Sequence, residues 1–481
     1  MNFQNSVLRV SLCLCVKKEK MINLEKYKNI YFLGIGGIGM SALARYFHSK
    51  GFNVAGYDKT PSPLTDELQK EGISCHFEDF GPSVPTPYSN KEETLVVFTP
   101  AIPQNLGEYL HLKHNGFTLL KRAQVLGLIT QNSKGLGVAG THGKTTTSTM
   151  LTHLLNESRL KCNAFLGGIS SNFSSNFVSD ENSELTVIEA DEFDRSFLQL
   201  HPFATIITST DADHLDIYGD AKTFLEGFQL YANQIDKNGL IVMKKGLELC
   251  SDTKIQTYAI NQKADFEGKN LRIENGNFFM DIVSKDFSWN NIELGLPGIH
   301  NAENALACIA LCTFLGLDEA EIRHGLKTFK GVKRRFEYKI RTEKLIYIDD
   351  YAHHPTEIKA LVDSVKLIYP DKKITGIFQP HLFSRTKDFI DDFAKELSKI
   401  DDLILLPIYP ARELPVEGIT SEFLLSKCTN LVKNVLLPQE AIEKVKSIEE
   451  GVILTIGAGD IDRIVNKIQS LLIEQSNNPK I

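Results

Sequence analysis

The hydrophobic pattern of the chain predicts strands and helices in alternation. Short apolar runs, the first at Asn29–Leu33, end at glycine or acidic residues and are followed by segments such as 40–51, in which apolar residues recur with the helical period. This alternation is typical of β-α-β units and parallel sheets. The pattern starts again near Lys134 and near Lys333. We therefore expect three α/β domains, at residues 21–131, 132–332 and 333–481.

Two parts of the pattern give more specific expectations. The apolar run at 95–102 predicts a strand that reaches Pro103. After the strand predicted at 204–210, the chain up to about residue 295 has a mixed pattern of β character, and an alanine-rich helix is predicted after His300. In the third domain, strands and helices are predicted to alternate throughout.

The composition is that of a globular protein with more than one core. The 481 residues are 42% hydrophobic and 23% charged, and the net charge is −7, from 53 basic and 60 acidic side chains. No long block of like charge marks a surface for nucleic acid, so we expect small-molecule partners and no nucleic acid. No apolar run reaches the roughly 18 residues of a membrane span, so we expect no membrane insertion and a cytoplasmic protein.

The N-terminal segment and the cysteines predict no processing or metal site. Residues 1–20 have too few basic residues before a short apolar stretch to form a good signal peptide. Because Met21 leads directly into the first predicted strand, a start at Met21 is an alternative to expression of residues 1–20. The 8 cysteines lack paired spacing and nearby histidines, so we expect reduced thiols rather than a zinc site.

A glycine-rich turn follows the first predicted strand. It fits the GxGxxG pattern between a strand and a helix, which brings free backbone amides of a helix N-terminus to an anion such as a pyrophosphate. An acid that ends the next strand is placed where nucleotide-binding folds contact a ribose. A turn without ligand and an NAD site both remain open. The candidate nucleotide-binding residues are Gly34, Gly36, Gly37, Gly39 and Asp58.

A phosphate-binding loop is predicted at the start of the second domain. A glycine-rich stretch ending in Gly-Lys-Thr follows a strand and opens a helix, a context in which backbone amides, a lysine and a threonine hydroxyl hold phosphates and Mg²⁺. Val138 stands where the usual loop begins with glycine, so a shorter variant is implied. Simple helix capping is the alternative. The loop residues are Gly140, Thr141, His142, Gly143, Lys144, Thr145 and Thr146.

Acidic clusters follow two later strands of the same domain. Parallel sheets bind ligands at the carboxyl ends of their strands, and a carboxylate there suits the Mg²⁺ that bridges the β and γ phosphates. A neutral imidazole suits a second ion. Solvated loop acids are the alternative reading. The two clusters are Glu189, Asp191 and Glu192, and Asp211, Asp213 and His214.

These motifs together resemble the Mur ligase family. The motifs occur, between about residues 27 and 465, in the order GIGGIGMSALA, GTHGKTTT, EADEFD, DADHLD, PGIHNAENALA, GVKRRFE, DDYAHHPTEI and FQPHLFSRT. The resemblance implies an N-terminal Rossmann-like domain that binds a UDP-linked substrate, a central P-loop ATPase-like domain, and a C-terminal Rossmann-like α/β domain that binds an amino acid. It further implies ATP-dependent joining of UDP-N-acetylmuramate to L-alanine, with two Mg²⁺ ions.

The resemblance also implies roles for single residues. Lys144 and the loop amides would bind ATP phosphates, and the first Mg²⁺ would be held by Thr145 and Glu189, the second by His214. Asn301 and Asn304 would contact the adenine of ATP. Arg335 would contact the γ phosphate, and Asp350 the ribose. Helix capping is the alternative for the two asparagines. L-Alanine would be surrounded by Tyr351, His353, His381 and Arg385.

The chain departs from the family pattern at two places. Leu382 stands where many members carry arginine after the histidine of FQPH, so Arg385 alone or another cation binds the alanine carboxylate. Phe193 follows the acidic pair where serine is common, which leaves the roles of Glu192 and Asp194 open. Arg334 is expected to be only a surface charge.

Other functions and roles remain open on the sequence. A related ligase that adds a preformed tripeptide to the same nucleotide shares most of the motifs. A nicotinamide oxidoreductase would use the first glycine-rich turn but leaves the phosphate loop unexplained, and a nucleotide sensor would keep the fold without turnover. His353 and His214 are both candidates for accepting the proton of the attacking amine. The tandem His353–His354 as a metal site is a weaker alternative.

Overall fold

The computed structural model describes residues 23–131, 133–211, 215–274, 277–411, 413–430 and 432–477. These residues form three α/β units, each built on its own sheet. Within the described residues, no helix is both long enough and apolar enough to span a membrane. Short 3-10 helices lie at Leu24–Lys26, Thr86–Tyr88 and Phe193–Gln199.

The first unit is a five-stranded parallel sheet in the order β3-β2-β1-β4-β5. The order reverses between β1 and β4, and ligands bind at the carboxyl ends of strands beside such a switch point. The strand expected at 95–102 ends at Phe98, because the chain turns there with Ile102 N donating to Thr99 O. Its elements are β1 (Asn29–Leu33), α1 (Ile38–Ser49), β2 (Asn53–Tyr57), α2 (Pro63–Lys70), β3 (Ser74–His76), β4 (Thr94–Phe98), α3 (Gly107–His114), β5 (Thr118–Lys121) and α4 (Arg122–Thr130).

The second unit is a ten-stranded sheet in the order β15-β14-β13-β12-β11-β10-β6-β9-β7-β8, with a central parallel part and antiparallel ends. The expectation of mixed β character up to residue 295 is wrong where the chain forms the short helix α6 (Leu215–Tyr218) and then α7 (Ala221–Ala232). Helix α7 forms because Asp220 caps its N-terminus and one helix face is apolar. The elements as far as α7 are β6 (Lys134–Ala139), α5 (Lys144–Asn156), β7 (Asn163–Phe165), β8 (Phe177–Val178), β9 (Leu185–Glu189), β10 (Ala204–Ile207), α6 (Leu215–Tyr218) and α7 (Ala221–Ala232). The remaining elements are β11 (Leu240–Lys244), β12 (Ile255–Ile260), β13 (Phe266–Glu274), β14 (Asn277–Ser284), β15 (Ser288–Leu294), α8 (Ile299–Phe314) and α9 (Glu319–Thr328).

The third unit is a six-stranded sheet in the order β16-β17-β21-β18-β19-β20, parallel except for the edge strand β16. Strands and helices alternate after β17, as predicted, except that two helices follow one another between β18 and β19. The elements are β16 (Glu337–Arg341), β17 (Leu345–Asp350), α10 (Pro355–Ile368), β18 (Ile374–Phe378), α11 (Phe383–Asp388), α12 (Ile390–Leu397), β19 (Asp402–Leu405), α13 (Ser421–Lys427), β20 (Val432–Val435), α14 (Pro438–Val445), β21 (Gly451–Ile456) and α15 (Asp462–Asn477).

Apolar packing joins the three units. One cluster of buried side chains contains Ile30 of β1 and Ile188 of β9, and another contains Val138 of β6 and Ile348 of β17. The first and second units, and the second and third, therefore share packed cores, which fixes the walls of any site between them. The three sheets lie within the three predicted domain ranges, and the boundary residues themselves stay a prediction.

Candidate active site

The glycine-rich turn connects β1 to α1 in a conformation that requires glycine. Gly34 has φ +90°, and a Cβ on it would lie 2.5 Å from Thr99 Cγ2. The next glycine, Gly36, donates its N–H to Asp58 Oδ2 at 2.7 Å. Asp58 therefore ties β2 to the turn, a contact that the sequence did not predict, while its predicted contact with a ribose stays a prediction.

A cavity of about 840 Å³ runs from this turn to the second unit. Its walls include Asp58 and Arg122 on one side and Glu189 and Asp191 on the other. Arg122 Nη2 lies 3.5 Å from Asp191 Oδ2, so the guanidinium stands between the two units. The predicted nucleotide turn and the predicted metal ligand thus face one continuous space. The glycines on its wall are Gly34, Gly36, Gly37, Gly39 and Gly167.

Sequence reasoning missed Arg122. Its guanidinium Nη1 would lie 2.6 Å from a Cβ on Gly39, so it stands directly over the first turn of α1. The available signal was its position directly after β5, since polar residues at the carboxyl ends of parallel strands lie on the ligand side of the sheet. A guanidinium beside a helix N-terminus is well suited to a phosphate group.

The phosphate loop lies between β6 and α5 and is tied to the strand end of β10. Gly140 and Gly143 have φ +134° and +80°. His142 N donates to Ser209 Oγ at 3.0 Å, and Thr141 Oγ1 donates to the Asp211 carbonyl at 2.7 Å. The loop is thus held to the end of β10 by its own backbone and by the Thr141 hydroxyl, and the first turn of α5, with Thr145 and Thr146, follows it.

Lys144, the first residue of α5, is folded onto its own loop. Its Nζ donates to Gly140 O at 2.8 Å and lies 2.8 Å from the carboxylate of Glu192. The lysine side chain is 14% exposed and that of Glu192 only 1%. Burial raises the pKa of Glu192, while the lysine charge opposes that rise. Glu192, whose role the sequence left open, is therefore the counter-ion of the predicted phosphate-binding lysine.

Glu189 and Thr145 lie together at the end of β9 and the start of α5. Thr145 Oγ1 donates to Glu189 Oε1 at 3.0 Å, and Gly167 N donates to Glu189 Oε2 at 3.0 Å. Burial raises the pKa of Glu189, and the charge of Lys144 is the main opposing influence. A buried carboxylate beside a hydroxyl is a hard-oxygen donor set, which fits Mg²⁺.

Protein side chains of the described part of the chain do not form a complete ligand cluster around such an ion. There, no three histidine, cysteine, aspartate or glutamate side chains converge to hold a metal. Mg²⁺ bound at Glu189 would thus need phosphate oxygens or water to complete its shell. His214 and Asp213 lie outside the described residues, so the predicted second ion stays a prediction.

Asn301 and Asn304 lie in the first two turns of α8. Asn301 Nδ2 donates to Pro297 O at 2.6 Å and the side chain is 3% exposed, so this amide is used at the start of its own helix. Asn304 instead faces the phosphate loop, because a Cβ on Gly143 would lie 3.0 Å from its Oδ1. The adenine contact stays a prediction, and the geometry favours Asn304 for it.

Arg335 projects from the segment that links the second and third units. Its guanidinium lies 5.4 Å from the ring centre of Tyr351, and Nη1 is 3.7 Å from Glu357 Oε1. Burial raises the pKa values of both Glu189 and Asp350, and the Arg335 charge opposes both rises, so its field reaches the second unit as well as the third. Asp350 accepts from Phe336 N at 2.6 Å, and burial raises its pKa to about 6.

The expectation that Arg334 is a surface charge is wrong. Its Nε is 3.1 Å from Asp349 Oδ2, Nη2 donates to Gly457 O at 2.6 Å, and the side chain is 20% exposed. Asp349 is only 1% exposed. Arg334 therefore neutralises a buried carboxylate of β17, while its neighbour in sequence faces the site.

The four residues predicted to surround the amino acid lie close together at the carboxyl ends of β17 and β18. The ring centres of Tyr351 and His353 are 5.4 Å apart, and those of His353 and His381 are 6.1 Å apart. Arg385 Nη1 lies 3.3 Å from His381 Nδ1. Burial, helped by the Arg385 charge, lowers the pKa of His381 to about 4. His381 is therefore neutral near pH 7.

His353 and His354 have separate environments. His353 Nδ1 lies 2.9 Å from Tyr351 O and 3.3 Å from Glu357 Oε2, and burial lowers its pKa. His354 caps the start of α10, where its Nδ1 accepts from Thr356 N, and its ring packs edge-on against Phe389. The two rings do not form a metal site together.

Leu382, at which the chain departs from the family pattern, lies in a strained turn. Leu382 has φ 73°, a left-handed conformation uncommon for a leucine, and its N–H donates to Tyr409 O at 2.9 Å. Glu413, which sequence reasoning missed, accepts from Ser384 N at 3.0 Å and so ties the loop after β19 to the helix that carries Arg385.

The second departure from the family pattern, Phe193, lies in the acidic loop after β9. Asp194 lies 3.3 Å from Lys121 Nζ, which adds a second ion pair between the first and second units. The Arg195 guanidinium stands 5.2 Å from the ring centre of Tyr218. Phe193, at the position where serine is common, is 44% exposed. This loop thus contacts the first unit rather than solvent alone.

Comparisons with known proteins agree with this arrangement. Residues 29–134 match the Mur ligase family catalytic domain, residues 138–312 the Mur ligase middle domain, and residues 334–459 the Mur ligase glutamate ligase domain. The UDP-N-acetylmuramate–L-alanine ligase of Flavobacterium psychrophilum is 50% identical over 455 residues, which cover 94% of this chain and 100% of that protein. That of Parabacteroides distasonis is 46% identical over 462 residues, 95% of this chain and 100% of that protein.

A solved structure extends the comparison to the fold. The crystal structure of UDP-N-acetylmuramate–alanine ligase from Thermotoga maritima superposes with a TM-score of 0.79 at 29% identity, covering 94% of this chain and all of that one. The three-domain α/β fold class is confirmed. Domain matches along the chain, relatives near half identity over almost its whole length and this structural likeness lead to one conclusion: the chain belongs to the Mur ligase family.

Proposed function

We propose that this chain is an ATP-dependent, ADP-forming ligase that makes an amide bond between the lactyl carboxylate of UDP-N-acetylmuramate and L-alanine, in peptidoglycan precursor synthesis. The relatives near half identity are named for that reaction. The observation that carries the proposal is the cavity that runs from the glycine-rich turn to Glu189. A nucleotide held at the turn would extend its far end toward the phosphate loop.

The substrate's nucleotide end would bind at the first unit. The amides at Gly36, Gly37 and Gly39 would face its pyrophosphate, and Arg122 would add a cation that contacts phosphate oxygens in a bidentate way. Asp58 remains our candidate for the ribose. These roles rest on the turn's position at a helix N-terminus and on the common cavity.

The first chemical step would activate the carboxylate. A carboxylate is a poor electrophile, so its oxygen would attack the γ phosphorus of ATP, and ADP would leave to give an acyl phosphate. Lys144 and Arg335 would stabilise the charge on the transferring phosphoryl oxygens. Bound Mg²⁺, held by Thr145 and Glu189, would neutralise the β and γ phosphates. We also propose that His214 would hold a second Mg²⁺.

The second step would form the amide. The amine of L-alanine would attack the acyl carbon, phosphate would leave, and the ammonium proton would pass to a base. His353 fits that task because burial lowers its pKa, which keeps the imidazole neutral near pH 7. Arg385 would bind the alanine carboxylate, and neutral His381 would hold the Arg385 side chain in place. His214 remains the alternative base.

We further propose where the reaction takes place and that the three units close before the carboxylate is activated. ATP is a cytoplasmic metabolite, so we place the reaction in the cytoplasm. Acyl phosphates hydrolyse readily, and we therefore expect the three units to exclude water before the carboxylate is activated. ATP hydrolysis without ligation in the wild-type protein would contradict that expectation.

Phosphate release tests the proposal directly. The purified protein is given ATP, Mg²⁺ and UDP-N-acetylmuramate, with either L-alanine or the tripeptide L-Ala-γ-D-Glu-meso-diaminopimelate. We expect release with L-alanine, and amide formation in equal amount by mass spectrometry of the nucleotide product. Preference for the tripeptide would assign the chain to the recycling reaction, and release with neither would refute the ligase assignment.

A further inference from the structure

Asn176 joins the nucleotide turn of the first unit to the second unit. It lies in the loop between β7 and β8 and is completely buried. Its Nδ2 donates to the Ile38 carbonyl and to Ser41 Oγ, both in the first turn of α1, and its Oδ1 accepts from Arg45 of the same helix. Both hydrogens of the amide nitrogen and the amide oxygen are thus bonded to one helix of the other unit.

The backbone of Asn176 is linked through Leu166 and Gly167 to Glu189, the predicted metal ligand. Asn176 O accepts from Leu166 N at 2.9 Å, and the next residue, Gly167, donates its N–H to Glu189 Oε2 at 3.0 Å. The path from the first turn of α1 to the carboxylate of Glu189 therefore consists of three hydrogen bonds, joined by residue Asn176 and by the Leu166–Gly167 peptide unit.

The geometry leaves this connection little freedom. A Cβ on Gly167 would lie 2.1 Å from Glu189 Oε2, so the loop and the carboxylate are in tight contact. On the α1 side, Arg45 is 7% exposed and also lies 2.7 Å from Glu71 Oε1, so the side chain that bonds to Asn176 is itself held by an ion pair. Through these contacts, a shift of α1 toward a bound pyrophosphate would also move Asn176 and the segment that positions Glu189.

We infer that Asn176 is a positioning residue that couples occupation of the nucleotide turn to the placement of Glu189 for the phosphoryl-transfer metal. The inference rests on the proposed function, since it takes Glu189 as the metal ligand and the turn as the substrate site. It predicts that binding of UDP-N-acetylmuramate and of Mg²⁺ with an ATP analogue are mutually dependent. Couplings of this kind change affinity by about 5- to 150-fold.

Titration calorimetry on the full chain tests the coupling. The affinity for Mg²⁺ and a non-hydrolysable ATP analogue is measured with and without saturating UDP-N-acetylmuramate. We expect the wild type to show a ratio within that range, and Asn176→Ala to show a ratio near one. Asn176→Asp serves as the second variant, because it keeps the acceptor for Arg45 and so favours folding while it loses both donors to α1. Thermal melting verifies that each variant is folded.

A matched asparagine provides the control. Asn163 also bonds to nearby backbone, through Asp180 N and Ser183 O, and makes no hydrogen bond to α1. Asn163→Ala is expected to keep the wild-type ratio. A wild-type ratio of one, or a full ratio in folded Asn176→Asp, would overturn the inference while phosphate release with L-alanine left the proposed function intact. Absence of phosphate release would instead refute the proposed function.

Discussion

Replacing Gly167 with alanine should disable the proposed metal site at Glu189 without disturbing the backbone. Gly167 is not among the glycines with positive φ, so alanine can adopt its conformation. The added Cβ would lie 2.1 Å from Glu189 Oε2, below any ordinary contact, and the carboxylate must retreat. A displacement of about 1 Å at a catalytic group costs roughly 100-fold in rate. That loss corresponds to about 2.7 kcal/mol in the activation barrier.

The assay is phosphate release as a function of Mg²⁺ concentration with the three substrates saturating. We expect Gly167→Ala to lower kcat by about 100-fold and to require more Mg²⁺ for half-maximal activity. Gly135→Ala is the control, because a Cβ there would lie 3.4 Å from Ile188 Cδ1, an ordinary contact. Wild-type turnover by Gly167→Ala at an unchanged Mg²⁺ requirement would refute the assignment of Glu189 as a metal ligand.

Three further substitutions test the third unit. Arg385→Ala should raise KM for L-alanine by about tenfold or more with little change in kcat, since a charge-assisted hydrogen bond contributes about 1.5–3 kcal/mol; an unchanged KM in steady-state assays would exclude Arg385 as the carboxylate ligand. Arg334→Ala leaves Asp349 buried without its cation and should lower the free energy of unfolding in urea by about 3–5 kcal/mol, whereas Arg334→Ala with Asp349→Asn should recover part of it. Burial raises the pKa of Asp350 from 3.8 to about 6. Protonated Asp350 therefore stabilises the folded protein at pH values below its pKa in the unfolded chain, and this stabilisation is lost as the pH rises through about 6. Asp350→Asn should remove that dependence from urea denaturation between about pH 4 and 7, and an unaltered profile would contradict the raised pKa.

The sequence predicted those parts of the site that lie within short segments. The glycine-rich turn, the phosphate loop and the acid after β9 each follow a strand end, and parallel strands bring their carboxyl ends to one edge. Thr145 and Glu189 therefore meet as expected. The grouping of His353, His381 and Arg385 came from family resemblance rather than from spacing, and the structure does bring the three side chains together.

The parts that the sequence did not predict depend on contacts between distant segments. Arg334 and Arg335 are adjacent and chemically identical, and only tertiary packing decides that one neutralises Asp349 while the other faces Glu357. Arg122 acquires its place above α1 from the packing of two helices. Asn176 lies in a polar stretch with no local pattern, and its partners on α1 are more than a hundred residues away. Such contacts leave no periodic signal in a single sequence.

The segment that crosses from the second unit to the third is bonded to the second unit before it reaches Arg335. Residues 331–333 of this segment are bonded to the loop that follows β7, through Ser171 N to Gly331 O and Lys333 N to Ile169 O, both at 2.9 Å. Up to residue 333, this segment is therefore held by the second unit and is not a flexible linker. The next backbone positions with left-handed φ are Arg334 at 62° and Phe336 at 50°, on either side of Arg335. Arg335 lies between these two positions, so a rotation of the third unit about this segment would also change the distance between the Arg335 guanidinium and the phosphate loop.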